Sequence, residues 1–266
     1  MKKVNALVVI LMVVSLITIL PNPTLSVEAA ETGYGSNGKF LAPIEASVAG
    51  SIAISDRAGL EAIKNNLNGN YHLTANIDLA GAEWVPIGDG SYFGRFSGTF
   101  DGQGYVISNL KITGNGYENN GLFGGTDRAT IKNVGLENTQ INVTGSAGAN
   151  AGGICGSSSG SISNCYNTGE ISLSSSVGEA FAGGICGGGS ASISNCYNTG
   201  SVSASSSSKS ASAGGIGGYV ASSFENCYNT GNVSASSNPC NQSSASAGGI
   251  CGFLRGSTFF KYCFNN

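Results

Sequence analysis

The chain has 266 residues, of which 42 are glycine, and its formal net charge is −3. Only 10% of the residues are charged, so no basic surface that would attract nucleic acid or anionic lipid is expected. The length is enough for one large domain or two small ones.

Residues 1–30 have the layout of a secretory signal peptide. Two lysines precede an apolar run over residues 6–20, and small residues follow at Ala29 and Ala30. The alternative is an uncleaved membrane anchor, but the run is shorter than the roughly 20 residues of a spanning helix. We therefore expect cleavage near Ala29 or Ala30, export to the outside or surface of a bacterial cell, and no membrane insertion afterwards.

A flexible lead-in over residues 31–50 is predicted to be followed by a helix within the region 51–70. Leu60, Ile63 and Leu67 recur at helical spacing after Asp56, which can cap a helix N-terminus. So short a helix needs an apolar surface to lie on. The open end of a stack of strands would provide one.

From residue 71 to 266 the chain is repetitive. The phrase Asn-Cys-Tyr-Asn-Thr-Gly occupies residues 164–169, 195–200 and 226–231, and Ala-Gly-Gly-Ile-Cys-Gly ends at Gly156, Gly187 and Gly252. A fixed period of this length is typical of stacked repeat proteins.

An anchor of an apolar residue, one spacer and an asparagine runs through the repeats. We interpret successive anchors as successive coils of three short strands each. The anchor at Ile107–Asn109 precedes the one at Ile131–Asn133 by 24 residues, the next three intervals are 31 residues, and the last is 36. Like positions would then pair about 4.8 Å apart. Each asparagine would form the corner after its strand with its backbone in the left-handed conformation, which asparagine tolerates. The fold class is therefore all-β, a parallel β-helix (solenoid) over residues 71–266 with a short N-terminal capping helix.

Three groups of phrases resemble the GLUG-motif repeat proteins of bacterial surfaces. They are the segments 71–79 with 84–88, the segment 98–110, and the Gly-Gly-Ile/Leu-x-Gly repeats. Similar repeats occur in adhesin-like proteins and in the non-catalytic parts of IgA-specific metallopeptidases. The resemblance implies a right-handed β-helix of the pectate-lyase type.

The residues from Thr139 to the last residue include no aspartate, and the only histidine of the chain is His72. Glycoside hydrolysis needs two carboxyl groups across the scissile bond, and the sequence has no His-Glu-x-x-His zinc motif. Asp101 lies in a glycine-rich turn, where a structural role is the default. We therefore predict no catalytic residues, no metal ligands, no cofactor and no enzymatic activity.

The recurring aromatic and amide side chains are the predicted binding residues. An outward column of tyrosines would suit a glycan or a surface protein, whereas an inward column would be core. We favour partial burial of the tyrosine rings. The candidates are Tyr166, Tyr197, Tyr228, Asn198 and Asn229.

Eight cysteines recur with the repeats, and export permits disulfides. We predict that the two cysteines of one coil form a disulfide with each other. Where a coil lacks one of its two cysteines, the cysteine of the single large insertion is predicted to take its place. The alternative is a column of buried free thiols. The predicted pairs are Cys155 with Cys165, Cys186 with Cys196, Cys251 with Cys263, and Cys227 with Cys240.

The sequence thus favours a secreted or cell-surface repeat protein that acts adhesively or structurally by binding glycan or protein. The alternative is a polysaccharide-degrading lyase or hydrolase. An ice-binding or matrix-type solenoid ranks last. The last strand is expected to be weakly capped, which predicts end-to-end self-association.

Overall fold

The computed structural model describes residues 50–88, 94–145, 148–238, 243–254, 256 and 258–265. It confirms the fold class, because these residues form an all-β parallel solenoid of about six turns with one short helix near the N-terminal end. The predicted signal peptide and nearly all of the lead-in lie outside the described residues. Within those residues, no helix is both long enough and apolar enough to cross a membrane.

The elements are short, and most strands have two to six residues. In chain order they are β1 (Ile52–Ile54), α1 (Arg57–Ala62), a 3-10 helix (Ile63–Asn65), β2 (Asn70–Leu73), β3 (Ile77–Asp78), β4 (Thr99–Asp101), β5 (Val106–Ser108), β6 (Lys111–Asn115), β7 (Asn119–Asn120), β8 (Phe123–Lys132), β9 (Gly135–Glu137), β10 (Gln140–Gly145), β11 (Ala149–Gly152), β12 (Cys155–Ser163), β13 (Tyr166–Asn167), β14 (Glu170–Ser175), β15 (Ala180–Gly183), β16 (Cys186–Gly189), β17 (Ser192–Ser194), β18 (Tyr197–Asn198), β19 (Val202–Ser206), β20 (Ala211–Gly214), β21 (Gly217–Val220), β22 (Ser223–Glu225), β23 (Tyr228–Asn229), β24 (Val233–Ser237), β25 (Ala245–Gly248), β26 (Cys251–Leu254), β27 (Phe259–Lys261) and β28 (Phe264–Asn265).

Four parallel sheets form the faces of the solenoid. The first face contains β1, β2, β4, β8, β12, β16, β17, β21, β22, β26 and β27, and the second contains β3, β5, β9, β13, β18, β23 and β28. The third consists of β6, β10, β14, β19 and β24, and the fourth of β7, β11, β15, β20 and β25. Three strands per coil were predicted. The fourth was missed because its Ala-x-Ala-Gly strands have only alanine and glycine at the inward positions, which give too little hydrophobic contrast to reveal the alternation.

The register corrects the first predicted coil. Ile131 pairs with Phe100 on the first face, so the 24-residue coil from Ile107 to Ile131 does not exist. Ile107 instead pairs with Ile77 and Leu136 on the second face. Strands of both the first and the second face end in an apolar residue, a spacer and an asparagine. This phrase alone therefore could not show to which face a strand belongs.

The later ladders follow the prediction. On the third face, Ile112, Ile141, Ile171, Val202 and Val233 stand one above the other. The predicted left-handed corners are also confirmed, since the anchor asparagines have φ between 51° and 58°. They are Asn109, Asn133, Asn164, Asn195 and Asn226.

The N-terminal helix covers one end of the core. Asp56 accepts a hydrogen bond from the Gly59 amide at 2.8 Å, which satisfies a free N–H of the first turn. Leu60 and Ile63 are fully buried against the solenoid core, and Leu67 packs partly against it. The helix lies in sequence between β1 and β2, which pair with each other.

Candidate functional site

The predicted tyrosines form a stacked column on the second face. Ring centroids are 4.8 Å apart between Tyr166 and Tyr197 and 5.0 Å apart between Tyr197 and Tyr228, with nearly parallel planes. Phe264 continues the column at 5.3 Å. The Tyr166 ring, the first of the column, lies against Gly135. A Cβ atom at Gly135 would lie only 2.2 Å from this ring, so there is no room for a side chain at that position.

These rings cover one another's faces. Tyr197 is only 4% exposed, and Tyr166 and Tyr228 are half-buried. The Tyr166 hydroxyl donates to Glu137 Oε1 at 2.8 Å, and burial, followed by this carboxylate, raises the pKa of Tyr166. Sugar stacking needs a free ring face, whereas this column presents ring edges.

The two asparagines predicted to bind a ligand are fully buried. Asn198 Nδ2 donates to Gly200 O at 2.7 Å and to Asn229 Oδ1 at 2.8 Å. Its own Oδ1 accepts from Asn167 Nδ2 at 2.9 Å. Asn198 and Asn229 therefore belong to an amide ladder inside the solenoid, because the corner before each strand turns the amide inward.

A long groove follows the edge of the fourth face. Its first part, about 550 Å³ in volume, passes Tyr117, Glu118, Glu179 and Lys209. A second recess of about 210 Å³ adjoins the first and shares Glu179 and Phe181 with it.

An aromatic strip forms the wall of this groove. Phe181 on β15 stacks on Tyr219 of β21 with centroids 4.7 Å apart, and Tyr219 stacks on Phe253 of β26 at 5.5 Å. Phe181 and Tyr219 are half-buried, and Phe253 is 44% exposed. We call Phe181, Tyr219 and Phe253 the aromatic strip.

The sequence analysis missed the aromatic strip because its members occupy different repeat positions. Phe181 belongs to the fourth face of one turn, whereas Tyr219 and Phe253 pair in register on the first face. One feature of the sequence could have revealed Tyr219. It lies in β21 between inward-facing residues, and because strand side chains alternate, its ring must face outward. Gly188 occupies the same column as Tyr219 one turn earlier.

The groove carries charge of both signs on a polar surface. Glu118, Glu179 and Lys209 are exposed along its first part, and Ser210, Ser212 and Ser244 line the second. The ring edges of the aromatic strip lie beside carboxylates and hydroxyls, an arrangement suited to holding an extended polypeptide through apolar contacts and hydrogen bonds.

The carboxylates considered for catalysis have structural partners. Buried Asp101 accepts from Gln103 N at 2.9 Å and Asn133 Nδ2 at 3.0 Å, and Lys132 Nζ lies 3.4 Å from its other oxygen. His72 Nδ1 is 2.8 Å from Ser51 Oγ. Asp101 therefore stabilises the glycine-rich turn in which it lies, which is the structural role that its sequence position suggested.

The aromatic residues between Trp84 and Phe96 divide into two groups. Trp84 and Phe96 are buried in the core, and Trp84 Nε1 donates to Leu122 O at 3.1 Å. Tyr92 and Phe93 lie outside the described residues, as does Asp89.

The predicted disulfides within coils are not formed. Every described cysteine is a free thiol, and Cys240 lies outside the described residues. The two cysteines of one coil belong to different columns, and Cys155 stands in register with Cys186 of the next turn. The structure therefore agrees with the alternative of stacked free thiols, which are Cys155, Cys165, Cys186, Cys196, Cys227, Cys251 and Cys263.

Among the described residues, no group of three histidine, cysteine, aspartate or glutamate side chains is placed to hold a metal ion. These residues do not fit a metal centre, so no hydrolytic step is derived from them.

Comparison with known proteins gives one family match. The family described as the M26 IgA1-specific metallo-endopeptidase N-terminal region matches residues 22–169. Halomucin of Haloquadratum walsbyi (strain DSM 16790 / HBSQ001) is 36% identical over 119 residues, which are 40% of this chain and 1% of halomucin. The chain thus spans a very small part of that curated relative.

A crystal structure described as an immunoglobulin A1 protease from Bacteroides ovatus has the same fold. The TM-score is 0.54 at 22% identity, with 81% of this chain and 75% of that chain covered. At this identity, the likeness shows the fold alone. The prediction of no enzymatic activity is nevertheless wrong, because the matched family is that of a metallo-endopeptidase.

Proposed function

Because the chain belongs to the family of M26 IgA1-specific metallo-endopeptidase N-terminal regions, we propose that it takes part in the proteolysis of immunoglobulin A1 by binding the antibody along the groove. The family match, which covers more than half of the chain, carries the proposal. The groove supplies the surface on which the antibody chain lies.

The chemistry of the groove supports a polypeptide ligand. The aromatic strip offers apolar area at little cost in side-chain entropy, as is common at protein interfaces. Glu118 and Glu179 would pair with basic side chains of the antibody, and Lys209 with an acidic one. An extracellular antibody also fits the proposed export of the protein from a bacterial cell.

Binding of immunoglobulin A1 to the immobilised full chain tests this proposal. The double variant Phe181→Ala/Tyr219→Ala is expected to weaken binding at least about tenfold, because aromatic anchors at interfaces often cost more than 1 kcal/mol each when truncated. Tyr262→Ala is the matched control, since Tyr262 is 74% exposed and lies outside the groove. Circular dichroism on each variant checks that the solenoid is retained.

Immunoglobulin G serves as the control ligand. Equal binding of both antibodies, or full affinity in the double variant, would contradict the proposal. A second arm follows cleavage of the immunoglobulin A1 heavy chain on gels with and without a metal chelator. Chelator-sensitive cleavage supports peptidase activity of this protein.

Two finer assignments remain proposals. The Gly-Gly-Ile-Cys-Gly phrases are the basis for describing the repeats as GLUG-type. An adhesive contribution through glycan or surface-protein binding would use the same exposed faces, and a glycan array in the binding experiment tests it.

A further inference from the structure

Two columns of thiols run along the solenoid. One stands on the first face and is interrupted by a glycine, and the other stands at the corner before the second face without interruption. The first contains Cys155, Cys186, Gly217 and Cys251, and the second contains Cys165, Cys196, Cys227 and Cys263.

The last two thiols of the second column are direct neighbours along the solenoid axis. β22 pairs with β27 just before them, and Tyr228 pairs with Phe264 just after them. The Phe264 amide donates to Cys227 O at 3.1 Å. The Cys227 and Cys263 thiols each donate to the carbonyl two residues earlier, Glu225 O at 3.3 Å and Lys261 O at 3.5 Å.

This spacing suits a disulfide. Parallel neighbours stand about 4.8 Å apart, within the roughly 4.4–6.8 Å that separates the Cα atoms of bonded cysteines. Their Cβ atoms must approach by several tenths of an ångström.

Reagents can reach only one end of the column. Cys263 is half-buried, whereas Cys165, Cys196 and Cys227 are buried. The neighbouring Cys227 thiol lowers the pKa of Cys263, which favours the reactive thiolate there. Burial raises the pKa of Cys196.

We propose that Cys263 and Cys227 form an axial disulfide site, closed by a low-molecular-weight disulfide, that joins the last turn of the solenoid to the turn before it. The Cys263 thiolate attacks the reagent, breaks its S–S bond and releases one thiol. Cys227 then loses its proton and attacks the Cys263 sulfur, which releases the second thiol. Two protein thiols are thereby oxidised and one reagent disulfide is reduced.

Cys251 provides an internal contrast. It is also half-buried, but its neighbour in register is Gly217, which has no thiol. The next thiol of its column, Cys186, stands two strand spacings away, or about 9.6 Å, which exceeds disulfide reach. Cys251 is therefore expected to stop at the mixed disulfide.

The test treats the reduced full chain with oxidised glutathione and maps its peptides by mass spectrometry without reduction. A peptide pair linking Cys227 to Cys263 is expected to exceed any other pair at least about tenfold, because burial limits the other thiols. Cys251 is expected to carry glutathione. Cys251→Ser should leave the cross-link unchanged, and Cys263→Ser should abolish it.

Three outcomes would overturn the proposal. They are a dominant link between Cys251 and Cys263, a link between Cys227 and Cys240, or glutathione retained on Cys263 beside a free Cys227. The map of the unsubstituted chain decides among these outcomes even if Cys263→Ser fails to fold.

Discussion

At the residue scale, a single buried amide connects three turns of the solenoid. Asn198 accepts from Asn167, donates to Asn229 and also binds the carbonyl of Gly200 at its own corner. All of these groups are shielded from water, so their hydrogen bonds come from the ladder and from nearby backbone groups. Asn167 also donates to Gly169 O, and Asn229 also accepts from Gly231 N.

Replacing Asn198 with alanine is expected to lower the free energy of unfolding by about 1–3 kcal/mol, the cost of a buried polar group left unpaired. The change leaves the Gly200 carbonyl without this partner, and the Asn167 amide and the Asn229 oxygen each keep one hydrogen bond to a glycine. Urea denaturation followed by circular dichroism measures the loss.

Thr199→Ala is the matched control, because Thr199 is exposed in the same corner. It should change stability by no more than about 0.5 kcal/mol. Equal losses in Asn198→Ala and Thr199→Ala would show that the ladder has no special role.

The sequence predicted part of this residue chemistry. Asparagine tolerates left-handed backbone, so the corners at Asn164 and Asn195 were predictable from residue type. The burial of Asn198 was not, because a corner resets the alternation of inward and outward side chains.

At the element scale, one glycine per turn allows the corners to approach closely. A Cβ atom at Gly200 would lie 1.8 Å from Gly169 O, and one at Gly231 would lie 1.9 Å from Gly200 O. The contacts are with backbone atoms, which cannot turn aside as a flexible side chain can.

Gly200→Ala is therefore expected to destabilise the solenoid by about 3 kcal/mol or more, since neighbouring turns must separate to admit the methyl group. Thermal unfolding of the variant and of the exposed control Ser201→Ala measures the difference. Unchanged unfolding temperatures in both variants would contradict the observed register of the turns.

The strands themselves were predictable where bulky residues repeat. The third-face ladder from Ile141 to Val233 follows from the period of the phrases. The fourth face could not be predicted from the sequence, because the alanine and glycine residues of its strands give little hydrophobic contrast. The aromatic strip required the fold, since Phe181 and Tyr219 meet only when the fourth and first faces of successive turns come together.

At the scale of the whole molecule, the two ends of the solenoid differ. The helix with Leu60 and Ile63 covers the N-terminal end, whereas the final described turn exposes large apolar side chains. Phe259 is 70% exposed, Tyr262 74% and Phe264 54%. Exposed strand edges with apolar side chains favour association.

End-to-end self-association through this last turn remains a prediction. Sedimentation velocity should show an average mass that rises with concentration, and Phe259→Ser/Phe264→Ser should shift the chain toward the monomer. Val85→Ser is the control, because Val85 is 66% exposed in another part of the solenoid. A chain that is monomeric at every concentration, or a Val85→Ser variant with the same effect, would contradict it.

Hydroxyl-radical footprinting of the chain with immunoglobulin A1 shows whether the antibody binds along the groove. Oxidation of Phe181, Tyr219 and Phe253 is expected to fall on adding immunoglobulin A1 and to stay unchanged with immunoglobulin G. Exposed Tyr262, outside the groove, should be oxidised equally in all samples. Unchanged oxidation of the aromatic strip in a sample where the antibody is bound would rule out binding along the groove.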